Sequence, residues 1–435
     1  MFLNLKNLFQ LGGRLVLKRL IYQLCPASFP GGFPEMTGFL PRPKELGVDF
    51  VWVGPFYPSP WKDGGYDISN YKAVNPRFGT MDDFDEFVKE AKRLGIKVLI
   101  DLVLNHTSIE HPWFKASEAG DPVYKDYYRW TKRDLGWKNF FNGESAFKFS
   151  EKRGEFYFHL FHESQPDLNF DNPNVVREFE KVIAFWTLKH GVAGFRLDVP
   201  QLIQETMIPS PPISRLTPIS GFSRYYMNPK TLTLLNGLFA GRNLYTIGEG
   251  ASPFKSTLLR LVQPNGPLSA MYNVLVRESV NHHAIIVPAK PSLSRLQRTI
   301  NHWGRDERIG IILESHDHPR FTSYSGYSGK AILRTLFQSR AKTIILYQGQ
   351  ELGLLNPKLP DNFFEYEDQM FRMKVEKMVR RGYPIEEAME KLKPTARENA
   401  RVKLDLAEYA RQEREQDSCL NYAKELIRNW KGGRF

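Results

Sequence analysis

Apolar residues in this chain gather in short runs spaced along most of its length. They are Leu20–Leu24, Val48–Val53 with Asp49 inside it, Lys97–Val103, Val192–Leu197, Leu244–Gly248, Ser269–Val274, Ile309–Leu313 and Lys342–Tyr347. Most are too short for helices and rich in Val and Ile, the pattern of strands buried on both faces. Amphipathic stretches such as Asp82–Leu94, Asn174–Lys189 and Arg295–His302 lie between them. Strands alternating with helices in this way predict an α/β chain folded as a (β/α)8 TIM barrel. A doubly wound parallel sheet gives a similar alternation and is the alternative.

One interval breaks the rhythm. Residues 105–170, between the third strand and the helix before the fourth, are rich in Trp, Tyr, Phe, Gly and Asn. This is too long for a βα-loop and predicts a small inserted domain. The expected organisation is an N-terminal extension (1–19), the first part of the barrel (20–104), the insertion (105–170) and the rest of the barrel (171–435). From about Phe371 the chain reads as a charged helical tail, with Leu420–Trp430 in the place of the last barrel helix.

Charge and cysteines narrow the classes. The chain has 435 residues and a formal net charge of +12. That charge raises nucleic acid or an anionic membrane as partners, but no binding motif accompanies it. Cys25 and Cys419 make no disulfide framework, so a cytoplasmic location is expected. The N-terminal apolar stretch is interrupted by Lys6, Arg14, Lys18 and Arg19. It is too short to span a bilayer. A secretory signal or a basic membrane-surface helix is a weaker reading there than a simple extension.

In a barrel, chemistry sits at the carboxyl ends of the strands. The third strand ends in Asp101, followed by Asn105 and His106. The fourth places Arg196 and Asp198 at the rim, the fifth Glu249, and the seventh His316 and Asp317. One such carboxylate is usually a salt bridge or a cap. Several from different strands, with Arg and His beside them, suit glycoside hydrolysis, which needs a carboxylate and a carboxylic acid flanking one bond. Arg196 lies two residues before Asp198, on the same face of its strand, where it would hold Asp198 ionised. No His/Cys cluster has zinc spacing and no phosphate-binding glycine loop precedes a helix.

The stretches GYDISNY (65–71), DLVLNHTS (101–108), QPDLN (165–169), GFRLDV (194–199), IGE (247–249), HDHPR (316–320) and YQGQELG (347–353) together resemble family 13 of the glycoside hydrolases, the α-amylase family. They are most similar to its oligo-1,6-glucosidase and dextran glucosidase branch. The resemblance implies Asp198 as nucleophile, Glu249 as general acid/base and Asp317 as the residue that fixes the distorted sugar. It implies Asp67, His106, Arg196 and His316 as ligands of the non-reducing glucose, Tyr66 as its stacking face, and Arg401 as closing the pocket. QPDLN and Val199 match α-1,6-active relatives.

The resemblance therefore implies a retaining exo-α-glucosidase acting on short oligosaccharides. A transglycosylase or sucrose isomerase of the same family and a truncated non-catalytic subunit are the alternatives. No cofactor and no metal are expected. The loop after the first strand reads FPGGFPEMTGF, with Glu35 its one carboxylate, and a hard cation wants several oxygen ligands. Ser315 stands where relatives usually carry Asn. The stretch after Arg401 departs from the family pattern, and the family's C-terminal β-sandwich is expected to be absent. That absence points to an apolar surface and self-association. The expected partner is a small oligosaccharide, with no nucleic acid and no membrane span.

Overall fold

The computed structural model describes residues 18–203, 206–207, 225–226, 229–250, 252, 254–262, 266–278 and 292–434. The readings made of residues 1–17 lie outside the described residues.

Strands β1 (Arg19–Leu24), β2 (Phe50–Val53) and β3 (Lys97–Leu102) open the fold. The short strands β4 (Trp130–Thr131), β5 (Phe147–Ser150) and β6 (Glu155–Phe158) follow. After β7 (Gly194–Leu197) come a two-residue pair, β8 (Thr206–Met207) and β9 (Tyr225–Tyr226). Then come β10 (Tyr245–Gly250), β11 (Ala270–Asn273), β12 (Ile309–Ile312) and β13 (Thr343–Tyr347). Eight of these close into a barrel in the order β1-β13-β12-β11-β10-β7-β3-β2, with parallel pairing throughout. This is the predicted (β/α)8 barrel, and each predicted run contributes one of its strands.

Alternation along the strands divides the core in two. Ile21, Trp52, Leu99, Ile247, Ile312 and Ile345 fill the barrel interior. Leu20, Tyr22, Val51, Val98, Ile311 and Ile344 face the surrounding helices. The helix Met81–Arg93 shows how local chemistry fixes an outer element. Thr80 accepts from the Asp83 amide and Asp83 accepts from the Thr80 amide, a reciprocal cap. Phe84, Phe87, Val88 and Ala91 then form the buried stripe. The helix Cys419–Lys431 is capped by Ser418 and buries Leu420, Ala423, Leu426, Ile427 and Trp430. The Trp430 indole N–H donates to the Ala341 carbonyl at 3.0 Å, tying this helix to the approach of β13.

The register carries the inward row toward the rim. Asp101 lies opposite Arg196, and Glu249 opposite Tyr272. Each side chain therefore enters the same cavity mouth. Between β3 and β7, strands β4, β6 and β5 form a separate antiparallel sheet. QPDLN returns this region to the barrel through antiparallel bridges His106–Asp167 and Tyr128–Leu168. After β13, the helices Gln369–Val379 and Ile385–Leu392 stand beside the rim. Met370 and Met373 pack there with Phe141, Phe161 and Val199. Among the described residues, no helix is long and apolar enough to cross a membrane.

Candidate active site

Arg196 is the hub. Its guanidinium is fully buried and its fork is shared among the rim acids. Nη1 lies 2.7 Å from Asp198 Oδ1 and 3.4 Å from Asp101 Oδ1, and Nη2 contacts Glu249 Oε2. Nε donates to the Tyr272 hydroxyl at 2.9 Å, and Nη1 to the Tyr66 hydroxyl at 3.1 Å. The Trp52 ring backs the cation at 5.1 Å, a cation–π support. The side chains of Asp198, Glu249 and Asp317 keep 12, 15 and 19% of their surface exposed. The carboxylates face the mouth and the arginine stands behind them.

The acids divide by environment. Burial drives the Glu249 carboxyl well above the usual carboxylate range; Arg196 opposes this, and the neighbouring Asp198 and Asp317 charges add to it. Burial would also raise Asp317, but His316, Arg397 and Arg401 outweigh it and hold this acid well below its ordinary value. His316 Nε2 lies 2.9 Å from Asp317 Oδ2. Arg397 Nε and Arg401 Nη2 each lie 3.0 Å from Asp317 Oδ1. The raised Glu249 is suited to give a proton, and the lowered Asp317 to accept hydrogen bonds at the same mouth. Asp101, buried behind them, is pushed up to about 7 by desolvation and accepts from the Trp52 indole at 2.9 Å.

The pocket wall joins residues from distant segments. The Tyr66 hydroxyl meets His316 Nε2 at 2.7 Å, and the two rings lie 20° from parallel. Gln23 reaches His316 Nδ1 from β1. Burial lowers the pKa of His316 to about 4 and that of His106 below its ordinary value, favouring neutral imidazoles. Gln165 Nε2 lies 2.9 Å from both His106 Nε2 and Asp63 Oδ2. Asp63 Oδ1 in turn takes Arg397 Nη1 at 2.5 Å. Arg401 donates to the carbonyls of His316 and Gly64, each at 2.9 Å. Gly64 has φ +57°, and a Cβ there would sit 1.8 Å from Arg401 Nη1. Glycine is what lets the arginine close down on this loop.

Eight of the nine expected site residues thus share one network: Asp198, Glu249, Asp317, Arg196, Tyr66, His106, His316 and Arg401. Asp67 stands apart. Its carboxylate accepts from Ser59 Oγ at 2.7 Å and from the Lys62 and Asp63 amides at 2.9 and 3.1 Å, organising its own loop. Burial raises its pKa to about 6. Sequence reasoning missed Asp63, Gln165, Tyr272 and Arg397. Asp63 lies four residues before Asp67, and Arg397 one turn before Arg401. Gln165 opens QPDLN, but its reach to His106 is a property of the fold.

The supporting loops are built for rigidity. Glu314 and Arg320 flank the His316–Asp317 segment and pair with each other at 3.2 Å, both fully buried. Glu314 also accepts from the Phe321 amide, and Arg320 donates to the Gln348 carbonyl. Ser315 Oγ meets His318 Nδ1 at 2.8 Å and accepts from the Asp317 amide at 3.2 Å. Val199, directly after Asp198, is left-handed at φ 31°, ψ 53°. For a β-branched residue this is strain, of a kind that clusters at functional sites. Among the described residues, no group of three or more His, Cys, Asp or Glu side chains is placed to hold a metal ion.

A closed parallel barrel with acids of opposed ionisation at its carboxyl rim is a glycosidase architecture. The chain belongs to the alpha-amylase family: the model of the alpha amylase catalytic domain matches residues 36–427. It is a glycoside hydrolase of the α-glucosidase type. It is 35% identical over 416 residues to an oligo-1,6-glucosidase of Parageobacillus thermoglucosidasius, covering 88% of this chain and 73% of the relative. It is 31% identical over 408 residues to a glucan 1,6-alpha-glucosidase of Streptococcus pneumoniae, covering 88% and 74%. Its fold is similar to the crystal structure of Bacillus licheniformis trehalose-6-phosphate hydrolase, with TM-score 0.82 and 28% identity over 97% of this chain and 84% of that one.

Proposed function

We propose that the protein is a retaining, exo-acting α-glucosidase that prefers short α-1,6-linked gluco-oligosaccharides. The observation that carries this reading is the shared guanidinium of Arg196, which sets Asp198 and Glu249 side by side at the mouth of the barrel. Asp198 attacks the anomeric carbon as Glu249 protonates the departing oxygen. The product is a glucosyl ester of Asp198 and a free alcohol. Water then attacks the same carbon, Glu249 takes its proton, and the ester bond to Asp198 breaks. Asp317, ionised and gripped by His316, Arg397 and Arg401, holds the ring hydroxyls of the distorted sugar. Tyr66 offers an aromatic face to that sugar.

The Asp63–Arg397 pair and the Gln165–His106 contact bar the far end of the pocket. That supports removal of a terminal glucose rather than internal cleavage. Val199, packed among Phe141 and Phe161 of the inserted region, walls the leaving-group side with apolar bulk. Together with the names of the relatives above, this supports the α-1,6 preference. The test is hydrolysis of isomaltose, maltose, trehalose 6-phosphate and sucrose, with the product anomer followed by NMR. We expect α-glucose to appear first and isomaltose to have the highest kcat/KM. Inversion at the anomeric carbon, isomerisation of sucrose with isomaltose left intact, or preference for trehalose 6-phosphate would refute the reading.

A further inference from the structure

We propose that the opposite end of the barrel, its amino-terminal floor, binds a small polyphosphate. A cavity of about 880 Å³ opens there, within the size range of small-molecule sites. The first residues of four strands line it: Arg19 of β1, Phe50 of β2, Lys97 of β3 and Tyr245 of β10. Lys18, before β1, and Arg242, before β10, join them. Each is separated in sequence from most of the others. Their convergence follows from parallel strands that all begin at one end.

These cations stand on aromatic rings or face the cavity. Among the described residues, Arg19, Lys97 and Arg242 meet no carboxylate. Arg19 lies over the Tyr245 ring at 5.6 Å and Lys97 over the Phe50 ring at 5.7 Å. The carboxylate in the lining, Asp49, is already engaged. Lys431 Nζ is 2.8 Å from both of its oxygens, and the Leu20 amide donates to it. Lys18 donates to the Trp430 carbonyl. Burial and the like charge of Lys342 lower its pKa. Phe50 and Tyr245 are stacked, with centroids 4.5 Å apart.

Cations resting on rings keep their N–H groups free. Guanidinium forks match phosphate oxygens bidentately, and lysine adds point charge. Like charges gathered on one concavity repel each other. A ligand carrying several linked phosphates relieves that repulsion at several points, and the cavity is wider than one phosphate needs. Hydrolysis of a neutral glucoside gives this floor no task, so the site is separate from the catalytic one.

Titration calorimetry of the intact chain with tripolyphosphate and, separately, with ATP tests the proposal. Lys97 and Arg242 are exposed, so the Lys97→Gln/Arg242→Gln variant leaves the core untouched. We expect saturable 1:1 binding of tripolyphosphate that weakens with added KCl. It should fall at least about tenfold in the double variant, with isomaltose hydrolysis unchanged. Equal affinity for both probes assigns recognition to the phosphates alone; tighter ATP binding adds a contact to the nucleoside beside the phosphate site. No saturable binding, or unchanged affinity in the double variant, overturns the proposal.

Discussion

The two ends of the barrel handle charge in opposite ways. At the carboxyl rim, Arg196, Arg397 and Arg401 are each locked to named acids, and Arg397 and Arg401 help His316 hold Asp317 well below its ordinary pKa. At the floor, Arg19, Lys97 and Arg242 lean on aromatic rings or solvent. The same residue types therefore do different things. A paired, buried arginine tunes its neighbours and is unavailable to a ligand. An unpaired one at a concavity remains free to bind. Burial separates the cases: Arg196 is enclosed, while Lys97 and Arg242 are exposed.

The sharpest way to break the rim's logic is to remove its proton donor. Glu249→Gln should cut kcat/KM on isomaltose, which reports the bond-breaking first step, by about 10²–10⁴-fold. The loss should be far smaller on an aryl glucoside whose leaving group needs no proton. The pH dependence follows with a fixed sign. Glu249 acts as an acid only while protonated, and its pKa is raised. The parent kcat/KM should therefore fall as pH climbs through that raised value, and the variant should lack this alkaline limb. Equal losses on both substrates would reassign Glu249 to binding.

A smaller effect is expected from opening the far end of the pocket. Asp63→Asn and Arg397→Gln should each lower kcat/KM by about 10–100-fold, since the first frees Arg397 to shift on Asp317 and the second leaves the buried Asp63 without its cation. The double variant should lose little more than either single one, as coupled neighbours are not additive. Additive losses would mean that the pair does not act as a unit.

The smallest effect on chemistry should come from the loop support. Glu314→Gln breaks a fully buried ion pair and should cost about 3–5 kcal/mol of stability by denaturant unfolding. At temperatures where the variant stays folded, kcat should change only slightly. A large loss of kcat with stability intact would place Glu314 in the chemistry instead.

The strand pattern was readable because buried parallel strands leave dense Val/Ile runs, and the rim acids because they end those runs. Asp198 and Glu249 were accessible to this argument for that reason. Arg397 and Asp63 were not: they are 334 positions apart and meet only through the closed barrel. The GYDISNY motif drew attention to Asp67, yet spacing within a loop does not say which carboxylate turns toward the pocket. There the backbone amides of residues 62 and 63 claimed Asp67. The inserted region read as an aromatic-rich interval, but its return contact through Gln165 depends on tertiary placement. The floor cations were hidden for the same reason, since they come from separate strand beginnings.

Asp198 is the residue proposed to carry the sugar between the two halves of the reaction. This role is tested most directly by treating the protein with 5-fluoro-α-glucosyl fluoride and mapping the product by mass spectrometry. One fluoroglucosyl group per chain is expected, on the peptide that contains Asp198 and absent from the Asp198→Asn variant. A label on Glu249 or Asp317, or turnover of the reagent with no ester formed at any carboxylate, would contradict it.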